Sequence, residues 1–543
     1  MLRVLLSVPL ALTLLACNAS ARGKQPPPPP AIPDARSPLG SNLTAVTDWS
    51  TEWAFVNAFK ASRAWISGSE AAWDDGRSVD TDADGWIRAL KPGQVARTLM
   101  FWDGGISYPA GEWLVTWEGN GALEVWNQTV VSQGDRRVVV RADPARGGIG
   151  INVTAVGPGE PLHNIRVLPP GGACMKDAAR ACSADADCGS GDHCALFQHE
   201  PDAHQFHPTF LKSLRAYSVL RFMDWANTNS AATPRFAERA KPSDARFTIK
   251  GVPLEVMADL ANQLDVDPWI CVPDVGEEGW AREASLVLKV RLEPERTVLV
   301  EHSNEVWNGM FDQATRAAAQ GQRLHLASNP FEAQLRWHAR RSLAVFAAFT
   351  EVLGNDRVVR VMASQAGNPW VSTTLLSFED AGEHTDALAI APYFGGYLGD
   401  GDDASRARAM TVDQLLDELE QHAVPKAIES VKEQRKVADK FGVRLVAYEG
   451  GQHLVGVGAA QNDGELDARF QLVNAHPRMQ AIYRKYLEGW RAGGGTLLMH
   501  FQNTSAWGKS GSWGAQRNYD EPEQTAPKRA ALEAFARTTK RWW

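Results

Sequence analysis

Short runs of consecutive apolar residues recur along the chain from position 217 onward, at 217–225, 268–273, 297–303, 357–365, 387–394, 444–449 and 496–502. They are rich in Val, Ile and Leu and too short for helices, so they predict buried strands. The run at 39–46 adds a first strand. Helical spacing is expected over 49–60 and 253–264. Buried strands alternating with helices predict an α/β fold, and eight such strands predict a (β/α)8 TIM barrel. A further short run, 62–67, is one strand too many, and it is placed outside the barrel or in the lobe that follows.

Between 95 and 168 the pattern changes. Short strand-like runs at 112–118, 122–126, 137–141, 150–155 and 164–168 are separated by Gly, Asn, Asp or Pro turns. Runs of this length at ~10–13-residue spacing predict a small antiparallel β-sandwich, inserted into or packed beside the barrel. Trp113, Trp117 or Trp126 would serve it as a sugar-binding face; a purely structural lobe is the other reading. Just before it, Asp80-Thr81-Asp82-Ala83-Asp84-Gly85 matches the first half of a calcium loop. The twelfth position is Lys91 instead of a bidentate Glu, which favours a solvated Asp turn.

The first 17 residues place one basic residue, Arg3, ahead of an apolar run that ends at Ala16-Cys17. Some ~12 apolar residues suit a signal-peptide core and are too few for a membrane span. Leu14-Leu15-Ala16-Cys17 resembles a bacterial lipobox, which implies lipidation at Cys17 and, with Asn18 next, an outer-membrane or cell-surface location. Secretion without a lipid is the alternative. Pro26 to Pro30 then favour polyproline II, a semi-rigid tether. Of six cysteines, Cys174, Cys182, Cys188 and Cys194 cluster in a segment poor in large apolar residues. In an exported protein they predict two disulfides, with three pairings open, and they lack the Cys-x2-Cys pairs of structural zinc sites. The expected organisation is a signal peptide (1–17), a Pro-rich linker (18–37), the first barrel strand and helix (38–94), a β-sandwich lobe (95–168), a Cys-rich insert (169–205) and the remaining barrel (206–543).

Two strands end in carboxylates. The run from Thr297 leads to His302-Ser303-Asn304-Glu305, and the run from Arg444 leads to Tyr448-Glu449-Gly450-Gly451. Between them there is room for about three βα units of ~30–45 residues each. Barrel enzymes carry their chemistry at such strand tips. An Asn-Glu pair closing one strand and a Glu closing the strand three further on resembles the clan A glycoside hydrolases, retaining enzymes on a (β/α)8 barrel. The resemblance implies that Glu305 is the acid/base, Glu449 the nucleophile and Asn304 the partner of the sugar 2-hydroxyl. It also implies that Tyr393 orients the nucleophile and that Arg221 lies near it, as the partner of Glu449. The clan often places Trp at the end of strand eight, where this chain has Phe501, so Trp507 is the expected substitute. Trp225, Trp307 and Gln365 complete the expected substrate-binding set.

Net charge is −8, without a basic block, which gives no support to nucleic-acid binding, and no nucleic-acid partner is expected. No Gly-x-Ser-x-Gly elbow is present for a serine hydrolase. The 20 Trp favour a sugar partner. The expected function is retaining, endo-acting hydrolysis of β-glycosidic bonds in an extracellular polysaccharide of β-glucan or hemicellulose type. No cofactor or metal is expected, and membrane contact only through the N-terminal lipid. The alternative is a non-catalytic surface glycan-binding lipoprotein.

Overall fold

The computed structural model describes residues 36–102 and 105–542. The expected signal peptide, Cys17 and nearly all of the proline-rich tether lie outside the described residues. Eight parallel strands close into a barrel: β1 (Leu39–Asn42), β2 (Val219–Arg221), β3 (Asp267–Val272), β4 (Val298–His302), β5 (Val358–Ala363), β6 (Ala387–Ile390), β7 (Arg444–Ala447) and β8 (Leu498–His500), with β8 returning to pair with β1.

Alternation along these strands builds two cores. In β4, Val298 and Val300 face outward onto the surrounding helices, whereas Leu299 joins the barrel interior with Trp269, Val361, Ala389 and Met499. Glu301 falls on the inward register, fully buried. The interior is tightly filled at β1: a Cβ on Gly40 would lie 2.3 Å from Met499 Sδ and 2.7 Å from the Val219 carbonyl oxygen. Helices such as Leu254–Leu264, Trp280–Arg291, Pro330–Leu353, Val424–Phe441 and Arg478–Ala492 cover the outside.

The expected helix over 49–60 does not form. Only a 3-10 turn, Ala58–Ala61, is present. The reason is where its aromatics go: Phe55 enters the barrel core, while Trp53 and Phe59 enter the lobe core. A single helix face cannot serve two bodies on opposite sides, and the chain crosses between them as an irregular segment held by long-range hydrogen bonds, among them Val56 N–H to the Gln205 carbonyl at 3.0 Å.

The lobe, inserted between β1 and β2, is a sandwich of two four-stranded antiparallel sheets. One has the order Ile66–Gly68, Val95–Met100, Ile149–Val156, Gly121–Trp126; the other has His163–Leu168, Gly111–Glu118, Arg137–Ala142, Thr129–Gly134. The surplus run 62–67 therefore contributes a lobe strand, and the lobe begins ahead of position 95. Asp80–Gly85 turns a small hairpin in which Asp80 pairs with Arg88 and Asp82 Oδ1 accepts the Asp84 and Trp86 amides at 3.0 and 2.9 Å. The Cys-rich insert forms a three-stranded sheet stapled by Cys174–Cys188 and Cys182–Cys194, one of the three open pairings.

Candidate active site

Glu305 and Glu449 emerge at the same pole of the barrel, three and two residues beyond the ends of β4 and β7. The backbone at Ser303 and Glu305 is left-handed, with φ of +61° and +43°. Such angles cost a non-glycine residue of order 1–3 kcal/mol, and they cluster where a side chain must be aimed against the chain's own preference. Here they swing Asn304 toward β2 and Glu305 toward β7.

A single guanidinium organises the floor. Arg221, at the end of β2 and fully buried, donates to both oxygens of Glu301 at 2.9 to 3.1 Å, to Glu449 Oε1 at 3.0 Å, to Asn304 Oδ1 at 2.9 Å and to Asn42 Oδ1 at 3.1 Å. A buried cation needs such compensation, and Arg supplies enough donors in a fixed plane to reach residues from three other strands. Trp269 Nε1–H donates to Glu301 Oε2 at 2.9 Å, completing that carboxylate's shell. The sequence reading assigned Glu449 as the partner of Arg221; Glu301 is the fuller one, and the signal for it was a charge at an inward position of a buried strand.

Each tip carboxylate also has a phenol. Tyr393 Oη donates to Glu449 Oε2 at 3.0 Å, and Tyr448 Oη donates across the barrel to Glu305 Oε1 at 2.8 Å. Burial, together with the adjacent carboxylate charges, holds both phenols well above their ordinary pKa, so they remain protonated donors. Asn308 Nδ2 reaches Glu305 Oε2 at 2.9 Å. Asn304 Nδ2 donates to Asn229 Oδ1 at 3.1 Å, and Gln313 Nε2 bridges Asn229 Oδ1 and the Asn304 carbonyl, which fixes this loop from behind.

Burial pushes Glu449 up to about 8; Arg221 pulls it down, the charge of Glu305 pushes it up again and Tyr393 opposes. The charge of Glu305 is thus felt at Glu449 in a poorly solvated site. Of the two, Glu449 is the one that the guanidinium contacts. A third carboxyl, Asp224, stands at the tip of β2, held by Gln502 Nε2 at 2.9 Å; burial pushes it up to about 6. It was not singled out in the sequence, where it sits unremarked beside Trp225.

The expected aromatic platforms are redistributed. Trp225 is in the core, stacked on Phe206 and Phe210, because the residues after β2 turn outward. Trp507 has Lys528 and Arg517 over its ring at 4.4 and 4.9 Å and donates to the Gly514 carbonyl, so its ring is engaged inside its own loop. Trp513 takes the place beside the site: its ring lies 5.8 Å from Tyr393, 5.0 Å from His453 and 5.7 Å from Phe501. Trp307 is half-buried in the Glu305 loop. Gln365 is half-buried at the tip of β5, with its carbonyl accepting from Gln434 Nε2 at 2.9 Å. In the lobe, Trp113 and Trp117 are core residues, 1% and 7% exposed, and offer no sugar face; Trp126 is half-buried.

No protein-family model matches the chain, and no curated protein matches it. Solved structures similar to it include a GH51 arabinofuranosidase from Xanthomonas axonopodis pv. citri (13% identity, TM-score 0.34, covering 56% of this chain and 62% of that one). A 4-O-α-L-rhamnosyl-β-D-glucuronidase from Fusarium oxysporum 12S is similar at 11% identity and TM-score 0.38, over 60% of this chain and 63% of that one. An endo-1,4-β-D-mannanase from Thermotoga petrophila RKU-1 is similar at 13% identity and TM-score 0.34, over 61% and 94%. The match spans less than two thirds of the first two chains' own length.

Proposed function

We propose that this protein is a retaining glycoside hydrolase of clan A type, acting on β-linked chains of an extracellular polysaccharide of β-glucan or hemicellulose type. One observation carries the reading: two strand-tip carboxyl groups, from β4 and β7, share one buried site, and only one of them is held by a guanidinium. Retaining hydrolysis needs this asymmetry. Glu449, its charge held by Arg221 and oriented by Tyr393, attacks the anomeric carbon. Glu305 gives its proton to the leaving oxygen, and a glycosyl ester on Glu449 results. Glu305 then takes a proton from water, which attacks the same carbon, releases Glu449 and restores the starting configuration. Trp307 after β4 and Trp513 after β8 put aromatic residues on two loops of the pole, which supports endo action along an extended chain.

The test is the anomeric configuration of the first product, followed by proton NMR on β-mannan, xylan and β-glucan oligosaccharides, with Glu449→Gln as the control. Retention of configuration with a loss of about 10⁴-fold or more in the variant is expected. An inverted product removes Glu449 as nucleophile. Wild-type protein that binds these glycans without cleaving any of them favours the surface glycan-binding alternative. In this reading the chain is exported, which two disulfides in the body support, and lipid-anchored through Cys17. Metabolic labelling with a radiolabelled fatty acid, lost in Cys17→Ser, checks the anchor.

A further inference from the structure

Away from the paired carboxyl groups, the lobe carries a cluster of three tryptophans, two of them exposed and both touching a half-buried third. Trp126 lies between Trp73, at 5.2 Å between ring centroids and 84° between planes, and Trp102, at 5.7 Å and 63°. Trp73 is 48% exposed and Trp102 43% exposed. Single exposed aromatics are ordinary, but contiguous ones on a monomer mark contact with something else.

The cluster is built, not accidental. Trp126 faces Gly150 across the strand pair, and a Cβ there would lie 1.8 Å from the indole, so only glycine lets the ring lie down on the sheet. The segment bearing Trp73 is held by Arg97, which donates to the carbonyls of Ser69, Ala72 and Trp73 at 2.6 to 2.7 Å and sets its guanidinium 5.2 Å from the Trp73 ring. Strand alternation puts Arg97, Asn152 and Glu124 on the same outward face as Gly150. Rigid indoles with polar side chains beside them suit an amphipathic, hydroxyl-rich ligand better than an oily one.

The patch is also tied to a segment that starts at the pole of the candidate cleft. Trp102 N–H donates to the Asp48 carbonyl at 2.7 Å, in the segment that leaves β1 at the catalytic pole. Trp49, next in that segment, is 55% exposed. Further along it, Glu52 is tied to Asn503 and Thr504 beyond β8.

We infer that Trp73, Trp102 and Trp126 form a second polysaccharide-binding surface, on which the pyranose rings of a glycan chain stack where the chain extends beyond the cleft. The inference rests on the proposed glycosidase reading for its class of ligand. Its test is binding alone. Glu449→Gln protein is sedimented with insoluble β-1,4-mannan and with microcrystalline cellulose, and compared with the same protein carrying Trp73→Ala and Trp102→Ala, with thermal unfolding as the check of fold. Retention of the first on at least one polymer, and affinity at least about 10-fold weaker for the second at a similar unfolding midpoint, is expected. Equal binding by both, or no binding by the first, overturns the inference. If the paired changes unfold the lobe, Trp102→Ala alone decides by the same criterion. If the substitutions release the protein from phosphatidylglycerol vesicles and leave polymer binding unchanged, a glycan is the wrong occupant. Release of sugar by wild-type protein is scored separately: no turnover with lost binding in the variant sinks the hydrolase and keeps this surface, and turnover with unchanged binding does the reverse.

Discussion

A guanidinium that touches carboxylates from two strands cannot serve both in the same way. Glu301 takes the bidentate contact and stays buried behind the site, while Glu449 takes a single donor and keeps an open side. At the scale of residues, this makes Tyr393 the adjustable part. Tyr393→Phe keeps the ring that packs near Trp513 and removes one hydrogen bond to a charged oxygen, a change worth about 1.5–3 kcal/mol. A fall in kcat of about 10- to 100-fold with little change in KM is expected from initial rates; an unchanged kcat would mean the phenol does not support the charge on Glu449. The shift of Glu449 should also show in the pH profile. Its carboxyl group must lose a proton before it can attack, so kcat/KM should rise with pH up to about 8, the value to which Glu449 is pushed.

The same shift has a stability sign. Glu449 is raised above its ordinary 4.5, so the folded protein keeps a proton that the unfolded chain releases between about 4.5 and 8. Stability from this group is full below that range and is lost as pH rises through it. Glu449→Gln removes the dependence, and its Tm relative to wild type should climb from pH 5 to pH 8. A constant difference across that range would contradict the shift.

Among the elements, the Cys-rich insert depends most on covalent chemistry. Its own apolar cluster is little more than the four half-cystines with Leu196 against them, and each bridge closes a loop of 12 or 14 residues. Links of that span contribute about 3 kcal/mol each by restricting the unfolded chain. Reduction should therefore open the insert to proteolysis within 175–193 while the barrel remains resistant, as mass spectrometry of the fragments would show. Resistance of the reduced insert would mean its packing on the lobe suffices. The failed helix at 49–60 teaches a related lesson: its residues are divided between two cores, and periodicity along one segment cannot show that its neighbours lie on both sides.

For the whole molecule, the critical join lies between the segment after β1 and the segment after β8. Glu52 is buried and accepts from Thr44 N–H at 2.7 Å, Asn503 Nδ2 at 2.9 Å and Thr504 N–H at 3.2 Å. It closes the barrel mouth on the side where the lobe is inserted. Glu52→Ala removes the acceptor of the Thr44 and Thr504 amides and one of the acceptors of Asn503 Nδ2, and should cost about 2–3 kcal/mol, read as a lower urea midpoint. An unchanged midpoint would show that the two segments are held by packing alone.

Much of this was legible in the chain. Val- and Leu-rich runs such as 298–302 and 444–447 can only be buried strands, glutamates just past their ends must stand at the mouth of whatever barrel they form, and four cysteines crowded into a segment with no core of its own must supply its stability. These are local consequences of side-chain shape and solvation. What the tertiary structure decided is everything that needs two distant residues at once: that Arg221 makes more contacts to Glu301 than to Glu449, that Tyr448 reaches Glu305, that Trp513 and not Trp507 meets Tyr393, and that Trp225 is core while Trp73 and Trp102 face solvent. Alternation along a strand says that neighbours point to opposite sides. Which side is water is set only when the rest of the chain has packed against the other.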